Sequence, residues 1–315
     1  MHPGKSTREA FGLALAELGA TNADIVVLDG DVHNSTRTEH FAKKFPDRFF
    51  NVGIAESNLV SMAGGFAASG KRPWLASFAA FVMCNAFDQL RMSVAFPNLD
   101  VKVVGTHCGI SIGEDGPSQM GIEDIALACC LPNFMVVVPA DEPSTIAATK
   151  ALAAHRGPAY LRCGRPNVPV IYEKSVPFTL GKANQLKDGK DLTIVACGLM
   201  VAMAIEAATR LEDRGLTVRV LDMHTVKPLD VDALVNAAQD TGRLVVCEEH
   251  LRAGGLGSTC AQTLAELKPV PMRFVALPDR YAESGKPEEL LEKYGLTANA
   301  IINAALEVCG MSLVA

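Results

Sequence analysis

The sequence predicts an α/β fold built as two tandem domains with mainly parallel sheets. Three observations predict it. Short β-branched runs alternate with Ala- and Leu-rich stretches of helical period, the pattern of strands joined by crossover helices. The alternation stops once, in a polar, strand-poor stretch over residues 172–190, and restarts at 191. The 315 residues are about twice the ~150 of an average domain. We therefore divide the chain into residues 1–171, a linker over 172–190 with room for a short edge strand, and residues 191–315.

In the first part, short apolar runs predict strands at 25–28, 49–52, 73–76, 101–104, 135–138 and 159–161. Between them, helical periodicity predicts helices over 8–18, 56–69, 81–94, 122–130 and 144–154. In the second part, strands are predicted at 192–196, 217–221, 244–247 and 272–276, and helices over 202–214, 231–239 and 257–267. No sequence repeat joins the halves, although two similar α/β layouts in tandem fit the pattern.

Composition removes several function classes. With 49% hydrophobic residues and a formal net charge of −6, each half can bury a core. No Lys/Arg-rich run offers a nucleic-acid surface. No apolar stretch is long enough to span a bilayer, and the opening MHPGKSTREAFG lacks the apolar core of a signal peptide. The nine cysteines are an odd number, without a CxxC pair or Cys/His metal spacing. They read as reduced thiols in a cytoplasmic protein, with no metal site of the chain's own.

Ligands of open parallel sheets bind beyond the carboxyl ends of the strands. Asp29, Asp31, Ser35, Glu56, Phe78, His107, Asp115 and Arg165 all follow predicted strands of the first part. Glu56 stands out, because FFNVGIAESNLVSMAGGFAASG (49–70) holds no other ionisable side chain. It opens a predicted helix, where a carboxylate is favoured by the dipole. That helix is apolar all round, so the carboxylate would be desolvated and need a partner with which to share a proton.

The segment THCGISIGEDGPSQMGIEDIA (106–126) is a glycine-punctuated loop carrying His107, Glu114, Asp115 and Gln119, longer than most connections. Its Asp-Gly-Pro is also good turn chemistry. His107 with Asp115 raises a hydrolase triad, set aside on the expectation that the chain has no G-x-S-x-G nucleophile elbow. Arg8, Arg37, Arg162 and Arg165 suit a single phosphate, whose oxygens the guanidinium fork engages in pairs; ordinary surface ion pairs are the alternative. EEHLRAGGLGS (248–258) misses the dinucleotide fingerprint, because Cys260 stands where the last glycine should be.

The runs TREAFG, LDGDVHNST, FPDRFFNVGIAESNLVSMAGG, SFAAF, HCGISIGEDGPSQMGIEDIA and SGKPEELL resemble the C-terminal half of a transketolase, most closely the animal-type branch. They fall in family order from Ser6 to about Ile302. The resemblance implies a pyrimidine-binding domain for thiamine diphosphate, followed by the family's C-terminal domain. Glu56 matches the glutamate that bonds N1′ of the aminopyrimidine, and Phe78 and Phe81 match the aromatics packed on that ring. Gln119 matches a further cofactor-contacting position. Arg8, Ser35, His107 and Arg165 match the set that holds a sugar's phosphate, and Asp115 the residue that contacts the hydroxyl at C2. Glu56 and His107 are thus the catalytic candidates.

The family's diphosphate-binding domain, whose G-D-G motif holds Mg²⁺, has no counterpart here; LDGD at 28–31 belongs to the other domain. The resemblance therefore implies one subunit of a split transketolase. A separate N-terminal subunit would supply Mg²⁺ binding, in an α2β2 assembly acting on sugar phosphates. A deoxyxylulose-phosphate-synthase-like chain, a 2-oxoacid dehydrogenase β subunit and a non-catalytic assembly subunit are the competing readings. His224 and His250 of the second part are expected to be structural as readily as functional, and the C-terminal domain is expected to serve dimer contact.

Overall fold

The computed structural model describes residues 1–173 and 178–311; residues 174–177 of the predicted linker lie outside the described residues. The first part of the chain forms β1 (His2–Ser6), β2 (Ile25–Asp29), β3 (Phe49–Asn51), β4 (Arg72–Phe78), β5 (Lys102–Thr106), β6 (Met135–Val137), β7 (Ala159–Arg162) and β8 (Asn167–Val170). The second forms β9 (Asn184–Lys187), β10 (Leu192–Ala196), β11 (Val218–Asp222), β12 (Thr225–Lys227), β13 (Leu244–Leu251) and β14 (Met272–Leu277).

A seven-stranded sheet runs in the order β12–β6–β7–β5–β4–β2–β3. Every pairing in it is parallel except that of β12, which lies antiparallel on β6. A five-stranded sheet follows as β14–β13–β10–β11–β9, parallel but for β9 on the edge. The α/β class with mainly parallel sheets is thus as read from the sequence. Strands β2, β5 and β10 are buried at every position, as expected where helices cover both faces of a parallel sheet.

Helix starts follow local chemistry. The Ser6 hydroxyl accepts from the Glu9 amide and caps the helix Thr7–Thr21. Asp141 and Ser144 form a reciprocal cap on Glu142–Ala154, while Asp230 and Thr297 cap two helices of the second part. The single helix expected over 81–94 is instead two wide, π-type turns, Phe81–Asn85 and Leu90–Ala95, around a short turn at Phe87–Gln89. Such widened turns re-aim side chains and gather at functional sites; here the first runs from Phe81 to Asn85. The antiparallel ribbon of β1 and β8 escaped the sequence reading because HPGKS and NVPV carry proline and glycine.

The two parts do not keep separate cores. Leu75, Val103 and Val136 of the first sheet share one buried cluster with Val195, Leu221, Met223 and Leu234 of the second part. A fully buried Leu or Val contributes about 1.5–3 kcal/mol, so this shared core and the β12–β6 pairing hold the two sheets together. The carboxyl ends of β2–β5 and β7 point the same way, and the candidate residues follow them.

Candidate active site

The loop after β2 is built on Asp29. This fully buried carboxylate accepts from the Val32 amide at 2.7 Å and from the hydroxyls of Thr36 and Thr38 at 2.7 and 2.8 Å. Burial pushes its proton affinity up while these donors oppose the rise. The knot sets the short turn His33–Thr36, which carries Ser35, and the left-handed residue Arg37 (φ 69°) behind it.

Arg8 meets this loop from the first turn of the helix Thr7–Thr21. Its Nη1 donates to the Ser35 carbonyl at 2.8 Å and to His107 Nε2 at 2.9 Å. The neighbouring Thr7 hydroxyl accepts from the Gly164 amide at 2.7 Å, which ties the helix start to the loop bearing Arg165. Burial first, then the Arg37 and Arg165 guanidinium groups, pull Arg8 down to about 10. Arg8 Nε is buried without a hydrogen-bond partner among the described residues, an unspent donor inside a cationic cluster.

His107 follows β5 in the left-handed region, at φ 57°, a conformation that histidine tolerates better than most residues but that still stores strain. Thr106 Oγ1 donates to the Ser77 carbonyl at 3.3 Å and lies 2.8 Å from His107 Nδ1. With Arg8 donating to Nε2, the ring proton belongs on Nδ1. Burial, followed by Arg8, Arg165 and Arg37, draws the imidazole down to about 3. It is therefore a neutral acceptor at Nε2. Phe78 stacks on it at 3.8 Å between centroids, and Phe81 lies nearly parallel to Phe78 at 5.4 Å. Together they form an aromatic shelf.

Arg165 donates from Nη1 to the Ile112 carbonyl at 2.6 Å and lies 3.3 Å from Glu114 and 3.6 Å from Asp115. Asp115 occupies a turn between Gly113 and Gly116, both with positive φ. Glu56 begins the helix Glu56–Ala68, is only 5% exposed, and receives the Asn85 amide on Oε2 at 3.1 Å. Asn85 closes the wide turn that Phe81 opens, so this bond joins the carboxylate to the segment bearing the aromatic shelf. Gln119 is held by its own loop, its Oε1 accepting from the Ser118 hydroxyl at 2.6 Å.

The structure thus gathers Arg8, Ser35, His107, Asp115 and Arg165 into one cluster that adjoins Phe78 and Phe81. Arg162 does not join it. That guanidinium is buried and bonded to both oxygens of Asp124, at 2.7 and 3.1 Å, and to the carbonyls of Gly121 and Glu249, which leaves it no share in a phosphate site. The hydrolase reading also fails. Gly109–Ile110–Ser111–Ile112–Gly113 does match G-x-S-x-G, but the segment lies in turns and Ser111 is buried with its amide bonded to Glu249. A nucleophile elbow needs an exposed serine between strand and helix. His224, also singled out in the sequence, is buried and stacked on Phe178 at 3.9 Å.

Sequence reasoning passed over Glu249, whose Oε1 accepts from Ser111 N at 2.7 Å. Only its adjacency to Glu248 directly after the apolar run 244–247 could have flagged it. Among the described residues, no three His, Cys, Asp or Glu side chains are grouped to hold a metal.

Residues 4–170 match the transketolase pyrimidine-binding domain family and residues 181–301 the transketolase C-terminal domain family. The chain is 40% identical over 301 residues to a 6-deoxy-6-sulfo-D-fructose transketolase subunit of a Clostridium species, covering 96% of this chain and 94% of that one. It is 38% identical over 301 residues to an apulose-4-phosphate transketolase subunit of Phocaeicola vulgatus, covering 95% and 96%. Human transketolase is 39% identical over 303 residues, and the match spans only 48% of its length. Among solved structures, a split-gene transketolase described as an inactive beta4 tetramer superimposes with a TM-score of 0.92 at 47% identity, over 98% of this chain and 99% of that one.

Proposed function

The chain belongs to the transketolase family, and from that membership we propose that it is the pyrimidine-side subunit of a split transketolase. It would transfer a two-carbon ketol unit between sugars that carry a terminal oxyanion. A separate N-terminal subunit would bring Mg²⁺ and the diphosphate-binding wall. Both subunit relatives are named as subunits of a transketolase, and the solved beta4 relative is described as inactive; both facts favour a partner-dependent enzyme. The family membership and the nine free cysteines favour a cytoplasmic setting.

One observation carries the substrate class. Arg8, with its unpartnered Nε, lies beside Ser35, His107 and Arg165 at the carboxyl edge of the sheet. A phosphate or sulfonate presents several oxygens to such a cluster, and guanidinium forks engage them in pairs. The two subunit relatives are named for a sulfo-sugar and a sugar phosphate, which have this terminal chemistry in common.

The donor set also fits thiamine diphosphate. A buried carboxylate at Glu56 and the parallel rings of Phe78 and Phe81 suit a flat aminopyrimidine with a ring nitrogen to protonate. When bound, the cofactor supplies the electron sink for the two-carbon unit. The chain's own residues do the rest. Glu56 holds a proton at the pyrimidine nitrogen, and the aromatic shelf fixes the ring's plane. Arg8, Ser35 and Arg165 hold the anion, and Asp115 meets the hydroxyl at C2. His107, its one Nε2 lone pair engaged by Arg8 Nη1, would hold that guanidinium toward the anion. It would accept a substrate hydroxyl hydrogen only where Arg8 turns from it to the bound oxyanion. Gln119 is assigned to the cofactor on resemblance alone.

The test is a coupled assay with xylulose 5-phosphate as donor and ribose 5-phosphate as acceptor, in thiamine diphosphate and Mg²⁺. Activity is expected only when this chain is mixed with an N-terminal subunit. Pyruvate turnover at a competitive rate would instead favour a synthase-like enzyme, and a cofactor-bound complex inert to every anionic sugar would overturn the proposal.

A further inference from the structure

Glu248 and Glu249 are adjacent buried carboxylates near the end of β13, and successive strand residues face opposite sides. Glu248 serves its own domain: its two oxygens accept from Leu256 N and Gly257 N at 2.7 and 2.8 Å, at the head of the helix Leu256–Leu267. Glu249 reaches the other way, into the loop that carries His107 and Asp115.

The second part of the chain grips that loop along its length. Glu249 Oε1 accepts from Ser111 N at 2.7 Å, and a Cβ added at Gly109 would collide with the same carboxylate. The far end of the loop is fastened by Leu251 N to the Ile122 carbonyl at 3.0 Å. There Arg162 also bonds the carbonyls of Gly121 and Glu249. Between these ends, a Cβ on Gly113 would meet Pro287 at 3.0 Å, and one on Gly116 would collide with the Ser284 hydroxyl. Ile112, next to Ser111, gives Arg165 its 2.6 Å carbonyl partner. Glu249 therefore stands one residue from the group that orients a cation of the anion cluster.

We infer that Glu249 is a positioning residue for sugar binding, through which the C-terminal domain sets the loop that presents Asp115 and orients Arg165. The carboxylate serves no cap in its own sheet, and its partner is an amide of the other domain. A misplacement of about 1 Å, transmitted from outside the site, can cost about 100-fold in rate. This inference rests on the proposed anionic-sugar site.

Glu249→Asp retains the charge beside Arg162 but withdraws it from Ser111 N; Glu249→Gln retains the acceptor. In the complex of both subunits, Glu249→Asp is expected to raise the KM for xylulose 5-phosphate about tenfold, with the Kd for thiamine diphosphate within about twofold of native and Glu249→Gln within about threefold. Hydrogen exchange of residues 109–116 in the substrate-free complex is expected to quicken in Glu249→Asp and not in Glu249→Gln. Native exchange in Glu249→Asp would overturn the inference even if no sugar were turned over. So would a native KM, or a cofactor Kd that rises in step with KM. A native complex that binds no anionic sugar would instead overturn the proposed function, while the exchange result would still decide whether Glu249 sets the loop. Should Glu249→Asp fail to fold, Ser111→Ala, which removes the hydroxyl that also donates to Glu249, carries the same pair of readouts in weaker form, and native exchange together with a native KM would overturn the inference.

Discussion

Arg8 donates from Nη1 to Nε2 of His107 at 2.9 Å, and this bond decides the protonation of both partners. A cation that donates to Nε2 forces the ring proton onto Nδ1, facing Thr106 Oγ1. A protonated imidazole would turn the same contact into repulsion between two cations, in a place where burial already penalises charge. Arg8 therefore keeps its charge near neutrality and His107 does not take one. The pair offers an incoming anionic sugar the unspent Nε–H of Arg8, while the Nε2 lone pair of His107 holds Nη1 in place.

This arrangement makes stability depend on pH with a definite sign. His107 is drawn down to about 3 in the folded chain, against an unfolded value near 6.5. Between these values the unfolded state binds the extra proton, so acid destabilises the fold, and the effect is absent above about pH 7. At pH 5 the native-to-unfolded difference is about 2 kcal/mol. Urea unfolding at pH 7.5 and pH 5 should show His107→Gln losing less stability than native on acidification. Equal losses would mean that His107 is not held neutral.

Arg8→Met removes the central donor of the anion cluster. Hydrogen bonds to charged groups are worth about 1.5–3 kcal/mol, so the KM for a phosphorylated donor should rise roughly 10- to 150-fold. A donor without the phosphate should be affected far less. Arg8→Lys should recover only part, since a point charge cannot reproduce the fork. Steady-state kinetics with matched phosphorylated and unphosphorylated sugars would separate anion binding from a general loss of structure, which would raise both KM values alike.

The strand order could not have been read from the chain, but most of the strands of the two large sheets could, because β2, β5 and β10 are short runs rich in β-branched residues and buried at every position. The β12 crossing was hidden: TVK is three residues long, and its pairing with β6 depends on tertiary contacts that no local pattern encodes. Residues of the candidate site were visible where polarity broke an apolar stretch, as at Glu56, or where glycines clustered, as around Asp115. Arg162 looked like Arg165 in the sequence. Only its burial against Asp124, 38 residues away, separates a structural guanidinium from one that can meet a ligand. Glu249 was invisible for the converse reason: its partner, Ser111 N, lies 138 residues away, and a backbone amide leaves no mark in the sequence.

Glu56→Ala tests the assignment that started from a lone carboxylate. General acid–base groups contribute about 10²–10⁴-fold, so ketol transfer by the reconstituted complex should fall by at least about two orders of magnitude. Subunit assembly, followed by gel filtration, should be unchanged. Asn85→Ala, which removes the 3.1 Å partner of Glu56, should produce a smaller loss in the same assay. Unaltered transfer in Glu56→Ala would remove this residue from the reaction.

Arg162 and Asp124 should report on stability rather than on sugar binding. Both are almost fully buried, and each is bonded twice to the other. The Tyr160 hydroxyl donates to the same carboxylate at 2.7 Å. Removing one member leaves an uncompensated charge in the interior, at a cost of about 3–5 kcal/mol. Arg162→Leu should therefore lower the urea midpoint sharply. Because Arg162 also bonds the Gly121 and Glu249 carbonyls at the far end of the loop, any rise in KM of the protein that remains folded should be alike for phosphorylated and unphosphorylated donors. Asp124→Leu in the same chain should restore much of the midpoint, since an apolar pair of similar volume avoids the desolvation that the ions suffer. A single Arg162→Leu variant with a native midpoint and a KM raised only for the phosphorylated donor would reverse the assignment and return Arg162 to the anion cluster.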